Sequence, residues 1–116
     1  MIEKNEIVKL TFEFALEVID YCEILESSRK FVIANQLLKA GTSIGANVWE
    51  AQNAESKNDF IHKFKIAAKE SDETEFGLLL CKYSKKYPED QHLLTKLESI
   101  SKVINKIIST SKRNQL

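Results

Sequence analysis

The sequence predicts an all-α chain, an antiparallel up-down-up-down four-helix bundle in one domain over residues 1–116. Three observations carry this. Apolar residues return every three or four positions through four stretches, the period of a one-sided helix. Three glycines and one proline are far too few turn residues for an all-β fold. The breaks between stretches are only a few residues long, which favours antiparallel neighbours. With 43% hydrophobic and 29% charged residues the chain has the balance of a globular domain rather than a disordered one.

The first helix is expected over residues 3–27, with Ile7, Leu10, Phe14, Val18, Tyr21 and Leu25 as its inner stripe, widened by Ile19 and Cys22. The second is expected over 29–54, on Ile33, Leu37, Ala40, Ile44, Val48 and Ala51. Gly41 and Gly45 fall inside it, and each costs roughly 1 kcal/mol against alanine in a helix interior. The apolar period passes through both without a phase shift, so one continuous helix is expected, with a second helix approaching closely at the glycines.

The third helix is expected over 57–87, opened by the capping-box pattern Ser56-Lys57-Asn58-Asp59. Its stripe is Phe60, Phe64, Ala67, Ser71, Thr74, Leu78 and Cys81. The fourth is expected over 88–112, with Pro88 at its first position and Glu89 and Asp90 favourable in the first turn. Leu93, Leu97, Ile100, Ile104 and Ile107 form its seam, flanked by Leu94, Val103 and Ile108.

Apolar residues remain after each helix has been given one stripe. Phe31, Leu38 and Trp49 lie away from the inner face of the second helix, with Gly45 among them. Phe76, Leu80, Tyr83 and Tyr87 form a separate row on the third. A contiguous aromatic row marks an interface more often than chance exposure does, so these seven side chains are the expected contacts of a homo-oligomer.

Seventeen basic and seventeen acidic residues give no net charge, and hence no global pull toward nucleic acid or an anionic membrane. The charge is unevenly spread. Residues 1–27 carry two lysines and seven acids, and residues 94–116 carry five bases and one acid, so the two ends are expected to pair within or between subunits. A polar opening and the lack of a long uncharged apolar run predict neither a leader nor a membrane span, and place the chain in the cytoplasm. Cys22 and Cys81 match no metal or redox spacing and read as reduced thiols packed as small hydrophobes.

The residues offer little chemistry. Glu89-x-x-His92 and Asp59-x-x-His62 resemble half-motifs of a di-metal bundle site. They open two antiparallel helices and would lie roughly 30 Å apart by helix rise, whereas paired metals sit about 4 Å apart. No phosphate loop, nucleophile elbow or zinc spacing occurs. The expectation is no enzyme, no cofactor and no metal. Ser43, Asn47 and Glu50 line the flank of the second helix, and Glu70 and Glu73 form an acidic pair on the third. They are expected to fix helix register or an interface by hydrogen bonds, with a ligand or proton-transfer site as the competing reading.

The run Gln36-Leu37-Leu38-Lys39-Ala40-Gly41-Thr42-Ser43-Ile44-Gly45-Ala46-Asn47-Val48, followed by Glu50-Ala51-Gln52, resembles the four-helix bundle proteins first noticed in intervening sequences of bacterial 23S ribosomal RNA genes. The likeness continues through Ser56-Lys57, Asp59-Phe60, Lys65, Ala67, Lys69-Glu70 and Glu73-Thr74-Glu75-Phe76, and covers roughly residues 30–82. Trp49 departs from it where a small residue is usual, and Gly77 where many relatives have Trp. The resemblance implies an up-down bundle, commonly a ring-like homopentamer, and no known reaction. The leading expectation is therefore a non-catalytic homo-oligomeric scaffold or adaptor whose partner is itself or another protein. The resemblance also extends to a related fold, a strongly basic pentamer that serves retroelements by binding RNA. That supplies the alternative, an RNA-binding module using Lys82, Lys85, Lys86, Lys106 and Lys112.

Overall fold

The computed structural model describes residues 5–88 and 90–115. Four helices make up the fold: α1 (Glu6–Ser27), α2 (Phe31–Ala51), α3 (Lys57–Tyr83) and α4 (Gln91–Arg113). There is no strand among the described residues. Each helix packs on the next along the chain, and α1 also touches α4. Asn5, capping the start of α1, donates from its side chain to Gln52 just past the end of α2. Gln115, past the end of α4, donates to Asn58 at the start of α3.

The inward stripes follow the helical period. Phe14, Val18 and Leu25 of α1 are buried against Leu37, Ile44 and Val48 of α2, Phe64, Ala67 and Leu78 of α3, and Leu93, Leu97, Ile100 and Ile104 of α4. Leu10, Ile33, Phe60 and Ile107 lie half-buried at the edge of this core. Ile19 is exposed, and Thr11 takes a core position instead. Its hydroxyl is satisfied by donating to the Ile7 carbonyl at 2.8 Å, one turn back on its own helix.

α2 runs unbroken through both glycines, and α1 approaches at each. A Cβ on Gly41 would sit 2.8 and 2.9 Å from the two γ-carbons of Val18, and one on Gly45 would sit 3.1 Å from the Thr11 carbonyl oxygen.

The helix ends show where local chemistry acts. Ser56 accepts from the Asp59 amide at 3.0 Å, and the Asp59 carboxylate accepts from the Glu55 amide at 3.1 Å, so the reciprocal bond of the box reaches one residue further back than expected. α1 ends in a Schellman arrangement: the Arg29 amide donates to the Glu26 carbonyl and the Lys30 amide to the Leu25 carbonyl. Arg29 occupies the left-handed position (φ 63°) that usually holds glycine, a conformation costing roughly 1 kcal/mol or more for a side-chain-bearing residue.

Several boundaries differ from expectation. The expected start of the first helix, at residue 3, lies outside the described residues, as does Glu89. α2 begins at Phe31 rather than 29 and closes at Ala51 rather than 54. α3 stops at Tyr83, not 87, and Lys86 turns the chain at φ 70°. Pro88 is not the first residue of α4. Asp90 caps that helix by accepting from the Leu93 amide at 3.1 Å, while the Pro88 carbonyl accepts a hydrogen bond from the buried Tyr21 hydroxyl.

Of the expected pairing between acidic and basic ends, the described residues contain one junction. Glu17 on α1 meets Lys96 at 2.6 Å and His92 at 3.0 Å, both on α4.

Tyr21, Cys22 and Cys81 are buried together as neutral groups. Burial, then the nearby Glu26 and Cys81, pushes the Cys22 thiol from 9.0 up to about 11, and burial raises both the Cys81 thiol and the Tyr21 hydroxyl. A folded-state pKa raised above its unfolded value contributes stability that is complete below the unfolded value and is lost as pH climbs through the folded one. The thermal midpoint is therefore expected to hold up to about pH 9 and to fall as pH rises to 11 and beyond. Cys22→Ala should flatten the fall in a thermal melt series, and an unchanged slope would remove the thiol from the account.

Candidate functional site

Between α2 and α3 lies an open groove of about 670 Å³. One part is apolar: Ile33 and Leu37 from α2 face Phe76, Gly77 and Leu80 from α3. Gly77 permits this geometry, since a Cβ there would sit 2.6 Å from Leu37 Cδ2. One to two turns earlier on α3, Glu70, Asp72 and Glu73 line the same groove, with Lys39 and Gln36 across from them on α2. Burial, then the adjacent Glu73 carboxylate, raises the Glu70 carboxyl above its ordinary value, with Lys39 and Lys69 pulling it the other way.

The acidic pair thus shares a cleft with two members of the aromatic row. Tyr83 stands further along, 77% exposed. Tyr87 departs from the row because α3 has already ended. It is half-buried against the core, with the Lys30 ammonium 4.6 Å above its ring.

On the polar flank of α2, the Asn47 side chain donates to the Ser43 carbonyl at 2.9 Å, and the Ser43 hydroxyl to the Lys39 carbonyl, so both bond within their own helix. Glu50 does cross to α3, meeting Lys63 at 2.9 Å in a largely exposed pair. Such pairs contribute about 0–1 kcal/mol. A bridge the sequence reading missed is the Ser71–Ser101 hydroxyl pair between α3 and α4.

A second hollow, of about 290 Å³, lies between α1 and α2. Trp49 and Phe12 line it, over a floor of Ala15, Gly45 and Ala46. The exposed apolar residues therefore form two surfaces rather than one, with Trp49 beside α1 and Phe76 and Leu80 in the α2–α3 groove. Phe12 belongs to the first of these, Leu16 and Ile19 are exposed further along α1, and Phe31 and Leu38 are exposed on α2. Phe12 and Leu16 were not singled out from the sequence. Their four-and-three spacing with Ile19 was the available signal.

The five lysines do not converge. Lys82, Lys85 and Lys86 are exposed at the end of α3 and just beyond it. Lys112 lies beside Lys65, whose charge lowers the Lys112 ammonium from its ordinary value. Lys65 is 17 residues before Lys82 on α3, about 25 Å by helix rise. Lys106 is exposed on α4. Among the described residues no three His, Cys, Asp or Glu side chains come together in a way that could hold a metal ion, and no helix is long and apolar enough to cross a membrane. His92 sits with Glu17, and His62 is exposed on the first turns of α3.

These helices and their motifs match a known class. The chain belongs to the 23S rRNA-intervening sequence protein family, whose profile matches residues 3–106. A solved relative is a protein of unknown function from the S23 ribosomal protein family of Bacteroides thetaiotaomicron. It is 36% identical, with a TM-score of 0.78 over 88% of this chain and 97% of that one. No curated protein matches the sequence.

Proposed function

We propose that this chain is a non-catalytic scaffold or adaptor, an antiparallel up-down-up-down four-helix bundle that assembles with copies of itself in the cytoplasm. The contacts between opposite helix ends, Asn5 with Gln52 and Asn58 with Gln115, support the antiparallel course. The apolar surface of α1 and α2 carries the self-assembly reading: Phe12 and Trp49 stand out of the core at a preformed hollow, and Leu16, Ile19 and Leu38 are exposed on the same two helices. A hollow beside protruding side chains suits a head-to-tail contact, which closes into a ring when the rotation allows. Five subunits is the ring size that the family resemblance supplies.

RNA binding is the second reading, favoured by one observation, the crowding of Lys65 against Lys112. Phosphate between two ammonium groups would relieve their repulsion.

Light scattering on the purified protein at micromolar concentration tests the assembly. We expect about five chains per particle, and a monomer for Phe12→Glu combined with Trp49→Glu, with helical circular dichroism retained. A monomeric parent protein would end the scaffold reading. The same samples titrated with single-stranded RNA at about 50 mM salt should show no binding. Salt-sensitive binding that is lost in Lys65→Ala with Lys112→Ala would establish the second reading instead.

A further inference from the structure

The α2–α3 groove differs in kind from the hollow beside Trp49. From Glu70 to Leu80 it follows eleven residues of α3, about 15 Å or three helical turns. Its volume falls within the range of ligand-binding clefts, and two parallel helical walls suit a third helix laid lengthwise. It carries three carboxylates against one lysine, in a molecule whose total charge is zero. The carboxylates occupy the part toward the start of α3, and Phe76 and Leu80 the part toward its end.

We infer that this groove docks a basic amphipathic helix of another protein, its apolar side chains over Leu37, Phe76 and Leu80 and its Lys or Arg side chains against Glu70 and Glu73. Charge complementarity chooses this occupant. A nucleic acid would bring phosphates against three carboxylates. The outer side of this chain's own α4 presents Lys102, Lys106 and Lys112, while its apolar side chains are engaged with the core, Leu97, Ile100 and Ile104 buried and Val103, Ile107 and Ile108 half-buried against it, so a second copy offers no fully exposed apolar row on α4. The raised Glu70 carboxyl agrees, since Glu70 and Glu73 repel each other in a partly desolvated site and a cation placed between them relieves both costs. The inference goes beyond self-assembly and uses a different surface, giving the scaffold a place to carry a client.

A displayed library of helical peptides, selected against the full-length folded protein, tests it. Enriched peptides should carry an apolar pair at i, i+4 with Lys or Arg one to two turns away. Measured by fluorescence anisotropy, their affinity should fall about tenfold on Glu70→Gln with Glu73→Gln, and comparably on Phe76→Ala. Enrichment of acidic or uncharged peptides, no enrichment, or equal binding to the variants would overturn it. Light scattering on the same variants separates the two readings. Unchanged particle mass is expected, and dissociation would show that a second copy fills the groove, sinking the inference while leaving self-assembly intact.

Discussion

Phe64→Ala is expected to cost about 3–5 kcal/mol of folding stability, the range for deleting a fully buried aromatic ring. Phe64 is 1% exposed and packs against Phe60, with ring centroids 4.8 Å apart. Alanine would leave a cavity that the helices on every side cannot close without moving their backbones. Against a typical total of roughly 5–15 kcal/mol, this single change removes about a fifth or more of the stability. Phe76, on the same helix, is 65% exposed, so Phe76→Ala should change the stability of the single chain by less than about 0.5 kcal/mol. Urea unfolding at one fixed protein concentration checks the pair, because self-association would otherwise shift the midpoints. Equal losses at both positions would mean that the inward and outward faces of α3 are misassigned.

Substitution of Gly41 is the second large effect. Alanine would bring its Cβ to 2.8 and 2.9 Å from both methyl carbons of Val18, a buried, β-branched side chain with little freedom to turn away. α1 must then retreat from α2. The overpacking cost of about 1–3 kcal/mol outweighs the gain of roughly 1 kcal/mol in helix propensity, and valine at the same place should cost more than alanine. Val18→Ala combined with Gly41→Ala should recover part of the loss, a coupling that a double-mutant cycle reads directly. Gly77 is the related case. There a Cβ would sit 2.6 Å from Leu37 Cδ2 and 3.1 Å from its Cγ, and Leu37, though it borders the groove, is buried, so Gly77→Ala should also destabilise, by about 1–3 kcal/mol less whatever Leu37 regains by turning toward the groove. Additive behaviour of Val18 and Gly41 in the cycle would refute the close contact.

Much of this architecture is legible in the residues, for physical reasons that also explain what is not. The unbroken period through Gly41 and Gly45 identified one helix and a close approach, because the period and the missing side chains are both local facts. The end of α3 and the start of α4 were not local. Pro88 is a good first helical residue in isolation, but its carbonyl is held by Tyr21, 67 positions away, and Asp90 makes the cap instead. Tyr87 left its expected row for the same reason.

Phe12 and Leu16 escaped notice because α1 is apolar over much of its circumference, and a sequence does not say which part of such a helix turns outward. Asn47 was expected to fix helix register or an interface; within this chain its own helix offers the nearer carbonyl. The α2–α3 groove was visible only as two unrelated features, an acidic pair and an aromatic row. What joins them is the register of two helices, set partly by the contact between Gly77 and Leu37.

The contact pattern of the helices also bears on how the chain assembles. Each packs most extensively against its neighbour in sequence, and the seam between the first and last is the thinnest, with the Glu17–Lys96 bridge within it. Hairpins of adjacent helices close small loops and form early, while joining the two termini closes the largest loop of all and comes last. That seam is then the first to part when the native state breathes, so the amides of α4 should exchange with solvent ahead of those buried between α2 and α3.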